Sequence, residues 1–153
     1  MRAGRTPSDW PAPPPQGAIQ SSPPLTNQQP PSYMQDGIRL CSTMGWPNWR
    51  NLGNREWITA GQYLDPSTHR RINEIVFTGG RYEDRDGRLH AMLSQGGHTY
   101  TGTFQEYNTT VWQTRQNVAV PRRDANRIVR AITTGDVFWT NDHYSTFHYM
   151  GRH

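Results

Sequence analysis

The sequence predicts an α+β domain in which one or two N-terminal helices pack on a twisted antiparallel sheet of about five strands. Two observations support this class. Residues 54–64 have a helix-compatible spacing of apolar side chains, and from Ile75 onward short β-rich segments alternate with turn residues. The chain has 153 residues, which is the length of a single domain.

The N-terminal part of the chain is predicted to lie outside this domain. Nine of the twelve prolines fall between Pro7 and Pro31, among Gln, Ser, Asn and Gly residues. Such a segment buries too little apolar surface to offset the entropy lost when it becomes ordered. We therefore predict a disordered Pro-rich tail or linker at residues 1–34 and a folded domain at residues 35–153.

The predicted helices precede the sheet. Residues 34–40 and 46–52 are predicted to be loops or short turns. The apolar residues within 54–64 have the spacing of a short amphipathic helix. A second short helix is predicted from Asp65, an N-cap residue followed by a proline, to about Glu74.

The remaining elements are predicted to be strands, because their segments are rich in β-branched and aromatic residues and are bounded by turn residues. Arg85-Asp86-Gly87 is predicted to be a hairpin or turn between residues 81–84 and 88–93. Residues 111–120 either extend the strand before them or form a longer loop. The predicted strands are residues 75–77, 100–110, 127–132, 137–140 and 144–150.

The charge balance favours an anionic partner. The formal net charge is +4, and all sixteen cationic side chains are arginine, with no lysine. A basic domain favours RNA or DNA first and membrane surfaces second. Guanidinium groups also bind phosphate in a bidentate manner, although a high-GC genome would equally account for the arginine bias.

Several classes of protein are excluded by composition. No apolar run approaches the roughly 18 residues that cross a bilayer, and the first residues lack the apolar stretch of a secretory signal. The single cysteine, Cys41, excludes an internal disulfide framework and a cysteine-rich zinc site. The six histidines show no His-Glu-x-x-His spacing, so we predict neither a metal nor another cofactor.

The C-terminal third of the chain holds the candidate chemical groups. Glu106 lies on a predicted strand and His143 at a strand junction, and arginines occupy positions 122, 123, 127 and 130. Arg123 and Arg127 would share a strand face, because side chains alternate along a strand. A carboxylate base, a histidine acid and guanidinium groups together suffice for phosphodiester cleavage without a metal. Each residue alone has an ordinary interpretation, as a solvated strand residue, a surface arginine or a turn histidine.

The same region resembles a known family. Residues 126–129 and 135–147 are similar to the C-terminal signature of the microbial guanyl-preferring ribonucleases, the family of barnase and the Streptomyces ribonucleases, which belongs to the ribonuclease N1/T1 superfamily. In this signature an Arg-Ile-Val strand leads, after a Gly-acid turn, into an aromatic strand and then Asp-His-Tyr-x-Thr-Phe. Residues 100–107 resemble the segment that holds the catalytic glutamate of the family, and residues 82–89 resemble the guanine-binding loop.

The resemblance implies a role for each matching residue. Glu106 would be the general base on the ribose 2′-hydroxyl, and His143 the general acid for the 5′-oxygen. Arg127 and Arg123 would bind the scissile phosphate and its transition state. Tyr144 would line the phosphate or sugar site.

The resemblance also implies a guanine site. Glu83, Asp84 and Arg85 would offer backbone groups to the guanine edge, and Asp86 a carboxylate to its N1 and N2 donors. Asp86 stands where the family usually has Glu, and Asp84 where Asn is common. Residues 81–83 remain a competing register for this loop. The interval from Glu106 to Arg127 is also longer than in the family.

The resemblance therefore implies a metal-independent endoribonuclease that cleaves single-stranded RNA after guanosine, through a 2′,3′-cyclic phosphate that is then hydrolysed. RNA is the implied substrate because the 2′-hydroxyl is the nucleophile. The alternative is a catalytically inactive RNA- or protein-binding module on the same fold. Metal-dependent hydrolysis is disfavoured, because no carboxylate–histidine cluster has ligand spacing.

The family further implies a secreted or delivered toxin domain. Such a domain would be a monomer that does not associate with membranes. Its partner, beside RNA, would be an acidic proteinaceous inhibitor or immunity protein, since a basic groove calls for complementary charge.

Overall fold

The computed structural model describes residues 23–49, 57–114 and 124–153. These residues form an α+β domain, as predicted, but with two antiparallel sheets instead of one. A three-stranded sheet has the order β1-β2-β5, and a five-stranded sheet the order β3-β4-β6-β7-β8. The elements are α1 (Ser32–Thr43), β1 (Trp57–Leu64), β2 (Arg71–Phe77), β3 (Arg81–Tyr82), α2 (Arg88–Leu93), β4 (Phe104–Asn108), β5 (Trp112–Thr114), β6 (Arg127–Ala131), β7 (Asp136–Thr140) and β8 (His148–Arg152).

The five-stranded sheet separates two apolar clusters. On one face, side chains from β4, β6 and β7 pack against α1 through Met34 and Cys41. On the other face, the side chains pack against α2 through Leu89 and Leu93. Because strand side chains alternate between faces, β4 and β6 contribute to both clusters. The first cluster includes Tyr107, Ile128, Val137 and Trp139, and the second includes Phe104, Val129, Phe138 and Tyr149.

The predicted strands of the C-terminal half are confirmed. Residues 100–110 contain β4, and residues 127–132 and 137–140 coincide with β6 and β7 to within one residue. The last strand begins later than predicted, at His148, because residues 141–147 form a loop. Of residues 111–120, the described part forms β5. These strands were predictable because each is a short apolar run bounded by turn residues.

The predicted loop at residues 34–40 is wrong, because these residues belong to α1. Met34, Gly37 and Cys41 are buried at helical spacing. A Cβ at position 37 would lie 1.5 Å from the carbonyl oxygen of Thr109, so glycine is what lets the helix approach the chain after β4. Glycine lowers intrinsic helix propensity by about 1 kcal/mol, and packing of the buried face outweighs that cost.

The predicted helix at residues 54–64 is also wrong. Residues 57–64 form strand β1, which pairs antiparallel with β2, and residues 54–56 lie outside the described residues. Gly61 disfavours the middle of a helix and lies at a register shift of the β1–β2 ladder. Trp57, Ile58 and Thr59 are residue types that favour strands.

The second predicted helix, from Asp65 to about Glu74, is wrong, because residues 66–68 form only a turn. Asp65 acts as the predicted cap, since its Oδ1 accepts the N–H of Ser67 at 2.8 Å. The chain then reverses at His69, which has a φ of 58°, and Arg71–Phe77 forms β2. The capping signal was correct, but the β-branched residues that follow pair with β1 instead of extending the helix.

The predicted hairpin around Arg85-Asp86-Gly87 is half correct. The turn is present, but its second arm, residues 88–93, is helix α2. Asp84, which is 5% exposed, accepts the N–H groups of Leu89 at 3.1 Å and His90 at 2.9 Å. These bonds satisfy backbone donors in the first turn of α2.

Residues 23–34, predicted as the end of the disordered tail, instead lie against the domain. The N–H of Gln28 donates to the carbonyl oxygen of Tyr149 at 2.7 Å. The indole Nε1 of Trp139 donates to the carbonyl oxygen of Gln28 at 2.9 Å. Residues 1–22 lie outside the described residues. Within the described ranges, neither helix has the length and apolar character needed to cross a membrane.

Candidate active site

A cleft of about 540 Å³ opens beside the five-stranded sheet. It brings together all eight predicted site residues that the structure describes; the ninth, Arg123, lies outside the described residues. These residues lie between positions 83 and 144 of the sequence, so the fold has to assemble them. The cleft is lined by Arg81, Tyr82, Glu83, Asp84, Arg85, Asp86, Glu106, Arg127, His143 and Tyr144.

Glu106 lies in the middle of β4 and is 3% exposed. The register of β4 with β6 pairs Glu106 with Val129 and Asn108 with Arg127, so the Glu106 and Arg127 side chains share one sheet face. The Oε2 of Glu106 accepts the hydroxyl of Tyr144 at 2.5 Å. A carboxylate buried among strands requires such partners, because an unpaired buried charge is costly.

The backbone around Glu106 depends on Gly79. A Cβ at position 79 would lie 1.8 Å from the carbonyl oxygen of Glu106. The N–H of Glu106 donates to the carbonyl oxygen of Gly80 at 2.8 Å, which joins the two segments. Gly79 therefore allows the close approach of the two backbone segments that positions Glu106.

Arg127 is the buried cation of the site, with 2% exposure. Its Nη1 donates to the carbonyl oxygens of Asp124 at 2.6 Å and Asn126 at 2.8 Å. Among the described residues, its Nε has no hydrogen-bond partner. Buried donors are normally paired, so this guanidinium has bonding capacity left for an anion.

Tyr144 connects the two charged groups. Burial raises the pKa of its hydroxyl, the negative charge of Glu106 raises it further, and Arg127 partly opposes the shift. The hydroxyl therefore stays protonated at neutral pH and donates to the carboxylate. Tyr144 was predicted to line the phosphate or sugar site, and it lies between Glu106 and Arg127.

His143 is exposed on a loop at the edge of the cleft. Both His143, with a φ of 54°, and Tyr144, with a φ of 73°, have left-handed backbone conformations. The N–H of His143 donates to the carbonyl oxygen of Ala125 at 3.1 Å. Two consecutive non-glycine residues in this region are strained, and such strain is common at functional sites.

Asp142 holds this loop, although it was not among the predicted site residues. Its carboxylate accepts the N–H of Thr146 at 2.9 Å, the hydroxyl of Thr146 at 2.6 Å and the hydroxyl of Thr140 at 2.8 Å. These bonds, those from Thr146 above all, lower the pKa of Asp142 to about 2. The only sequence signal was the tendency of Asp to bond nearby backbone N–H groups.

We expect acid to release this loop. The folded pKa of Asp142 is depressed below the ordinary aspartate value of 3.8, so its contribution to stability is present above pH 3.8 and is lost as the pH falls towards 2. The amide resonance of Thr146 should shift with a midpoint near 2 in an NMR titration. Asp142→Asn should remove this titration, and a midpoint at or above 3.8 would contradict the assignment.

The predicted guanine loop carries more internal bonds than the sequence suggested. The carboxylate of Asp84 accepts backbone N–H groups of α2 and lies 2.7 Å from the Nδ1 of His90. The backbone carbonyl oxygen of Asp84 accepts the N–H of Gly87. Glu83 lies 3.7 Å from Arg81 in an exposed ion pair. Arg85 is exposed in the turn.

Asp86, predicted to meet the guanine N1 and N2 donors, also has a partner within the chain. Its Oδ2 accepts the Nε of Arg88 at 2.7 Å, and its Oδ1 accepts the N–H of Arg88 at 3.2 Å. The backbone hydrogen bond from Arg88 is the first cause of the lowered pKa of Asp86. Asp86 is more than half exposed.

Three residues near the cleft were missed by the sequence analysis: Tyr82, Arg88 and Phe147. The ring of Tyr82 lies 5.2 Å from that of Tyr144 and 5.8 Å from that of Phe147. Arg88 contacts the loop that carries His143, more than fifty positions away in sequence. No short-range pattern reports such contacts.

In the described parts of the chain, no three His, Cys, Asp or Glu side chains form a group that could hold a metal ion. No protein-family model, no curated protein and no solved structure matches this chain. Its function has to be argued from the chemistry of the cleft.

Proposed function

We propose that this chain is a metal-independent endoribonuclease of the microbial guanyl-preferring type, with the corresponding ribonuclease fold. One observation carries the proposal: a single cleft is lined by a buried carboxylate, a buried guanidinium and an exposed imidazole. These are Glu106, Arg127 and His143. A base, an acid and a cation are what cleavage of a phosphodiester by an internal hydroxyl requires.

In the first step Glu106 takes the proton of the ribose 2′-hydroxyl, and the 2′-oxygen attacks phosphorus. The bond from phosphorus to the 5′-oxygen breaks, and His143, protonated at the start of the step, gives its proton to that oxygen. The products are a 2′,3′-cyclic phosphate and a free 5′-hydroxyl. In the second step the roles reverse: His143 takes a proton from water, and the water oxygen attacks phosphorus. The bond from phosphorus to the 2′-oxygen breaks, Glu106 gives its proton to that oxygen, and a 3′-phosphate results.

Arg127 stabilises the charge that builds on the phosphoryl oxygens. Its burial supports this role, because electrostatic interactions are stronger away from water. The unpaired Nε of its guanidinium is consistent with an anionic ligand. Arg123 would add a second cation by the family resemblance. Tyr144 supports the base, because its hydroxyl bonds the Glu106 carboxylate.

Guanine preference is the finer part of the proposal. The loop at residues 83–86 lines the same cleft as Glu106, so a base bound there would lie next to the reacting ribose. Backbone groups of Glu83, Asp84 and Arg85 and the carboxylate of Asp86 are the proposed contacts. The net charge of +4 suits RNA as the substrate.

The same proposal includes a secreted or delivered toxin domain that acts as a monomer. It also includes an acidic inhibitor or immunity protein, since a cell that makes a general ribonuclease has to block it. Complementary charge would speed capture of a basic cleft.

Digestion of a short RNA with a single guanosine, in EDTA, tests the function. We expect one cut, after the guanosine, that leaves a 2′,3′-cyclic phosphate. The same RNA with 2′-deoxyguanosine at that position is the control and should stay intact, because it lacks the nucleophile. Cleavage after every nucleotide would agree with the proposed mechanism and contradict the proposed guanine site. No cleavage of the RNA by the folded protein would favour a noncatalytic binding module.

A further inference from the structure

Arg88, the first residue of α2, joins two sides of the cleft. Its Nη1 donates to the carbonyl oxygen of Ser145 at 2.6 Å, and its Nη2 donates to the carbonyl oxygen of Tyr144. Its Nε donates to the Asp86 carboxylate at 2.7 Å. Its guanidinium carbon also lies 5.0 Å from the centre of the Phe147 ring. All three guanidinium nitrogens are thus engaged, although the side chain is 41% exposed.

The two carbonyl groups that Arg88 holds belong to a strained segment. His143 and Tyr144 both have positive φ angles, and the Tyr144 and Ser145 carbonyls follow directly. A strained conformation persists only when surrounding contacts hold it. Hydrogen bonds from other sides also hold the segment: Asp142 accepts from Thr146, the His143 N–H donates to Ala125, and Tyr144 bonds Thr140 and Glu106. From the guanine-loop side, the Tyr82 ring packs on that of Tyr144, and Arg88 supplies the hydrogen bonds to the backbone.

We propose that Arg88 is a positioning residue, which fixes the backbone after His143 so that the imidazole faces the leaving 5′-oxygen. This inference rests on the proposed ribonuclease function. Asp86 orients the Arg88 guanidinium through the bond to Nε. Arg88 therefore links the loop that would bind guanine to the loop that carries His143. Glu106 is placed by the pairing of β4 with β6 and by the bond from its N–H to Gly80, so the general base is not expected to depend on Arg88.

This role depends on the planar guanidinium group of arginine and its N–H donors, and not on the positive charge. A lysine ammonium keeps the charge but offers one nitrogen, which cannot bond two carbonyls and a carboxylate in a fixed plane. Arg88→Lys therefore separates positioning from attraction of an anionic substrate. Arg39→Lys is the matched control: Arg39 is exposed, pairs with Asp36 at 3.0 Å, and does not line the cleft.

The test compares two substrates. The first is a guanylyl dinucleotide, whose 5′-alkoxide has to be protonated as it leaves. The second is guanosine 3′-(4-nitrophenyl phosphate), whose leaving group departs without a proton. We expect Arg88→Lys to lower kcat on the dinucleotide by roughly ten- to a hundredfold, part of the range of general acid catalysis. On the nitrophenyl ester, the kcat of Arg88→Lys should stay within about threefold of the parent value. The kcat of Arg39→Lys should stay within the same range on both substrates.

An equal loss on both substrates, or an unchanged kcat on the dinucleotide, would overturn the positioning role. If the parent protein cleaves neither substrate, the proposed function is wrong. A second measurement then tests whether Arg88 holds the backbone of residues 143–146. Amide resonances of residues 143–146 should then shift in Arg88→Lys and stay in place in Arg39→Lys, and unshifted resonances in Arg88→Lys would overturn it.

Discussion

Glu106→Gln is expected to lower kcat for cleavage of a guanosine-containing RNA by about 10²- to 10⁴-fold, the contribution of a general base. Glutamine has almost the same volume as glutamate, and its amide oxygen can still accept the Tyr144 hydroxyl. The buried site therefore keeps its packing but loses the carboxylate charge and, with it, the ability to take a proton. Release of the 2′,3′-cyclic product from a single-guanosine RNA measures the effect.

Glu74→Gln is the matched control for this experiment. Glu74 is also a strand glutamate, but it lies on β2 in the other sheet and does not line the cleft. The same chemical change there should leave cleavage unaltered. Full activity in a folded Glu106→Gln protein would exclude Glu106 as the base and leave the function without its main support.

His143→Gln should cause a loss of similar size on RNA, about 10²- to 10⁴-fold in kcat. The physical reason differs, because the missing proton is the one delivered to the leaving 5′-oxygen. A substrate with a 4-nitrophenolate leaving group does not need that proton, so its cyclisation should be nearly unchanged. Steady-state kinetics on the two substrates measures the contrast.

His69→Gln is a close control, since His69 is also exposed in a turn and has a φ of 58°, near the 54° of His143. Its replacement tests whether removal of an exposed histidine from a left-handed turn is itself harmful. It should leave both substrates unaffected. An equal loss on both substrates in His143→Gln would mean that His143 acts elsewhere than on the leaving oxygen.

The strands of the C-terminal half could be predicted because their information is local. In β6 and β7 an apolar run is bounded by turn residues, and each run has the length of one strand. Asp65 was likewise recognised as a capping residue. Its carboxylate bonds backbone N–H groups two and three positions ahead, within reach of any local pattern.

The helices could not be predicted in the same way. Helix α1 contains Gly37, which weakens its intrinsic propensity, and it forms because that glycine fits against the Thr109 carbonyl. Strand β1 has apolar spacing compatible with a helix, and its pairing with β2 decides the outcome. In both cases a contact distant in sequence outweighs a local preference of about 1 kcal/mol or less.

Four residues of the candidate site were selected from their chemical types and positions, and the other five from motifs that resemble the family; eight of the nine line one cleft. Those properties belong to side chains, and a sequence records side chains directly. Arg88 was missed because two of its partners, at Tyr144 and Ser145, are backbone carbonyls, which every residue possesses. The sequence by itself therefore determined which groups could do chemistry. Only the tertiary structure decided how they are held, because that depends on backbone atoms brought together by folding.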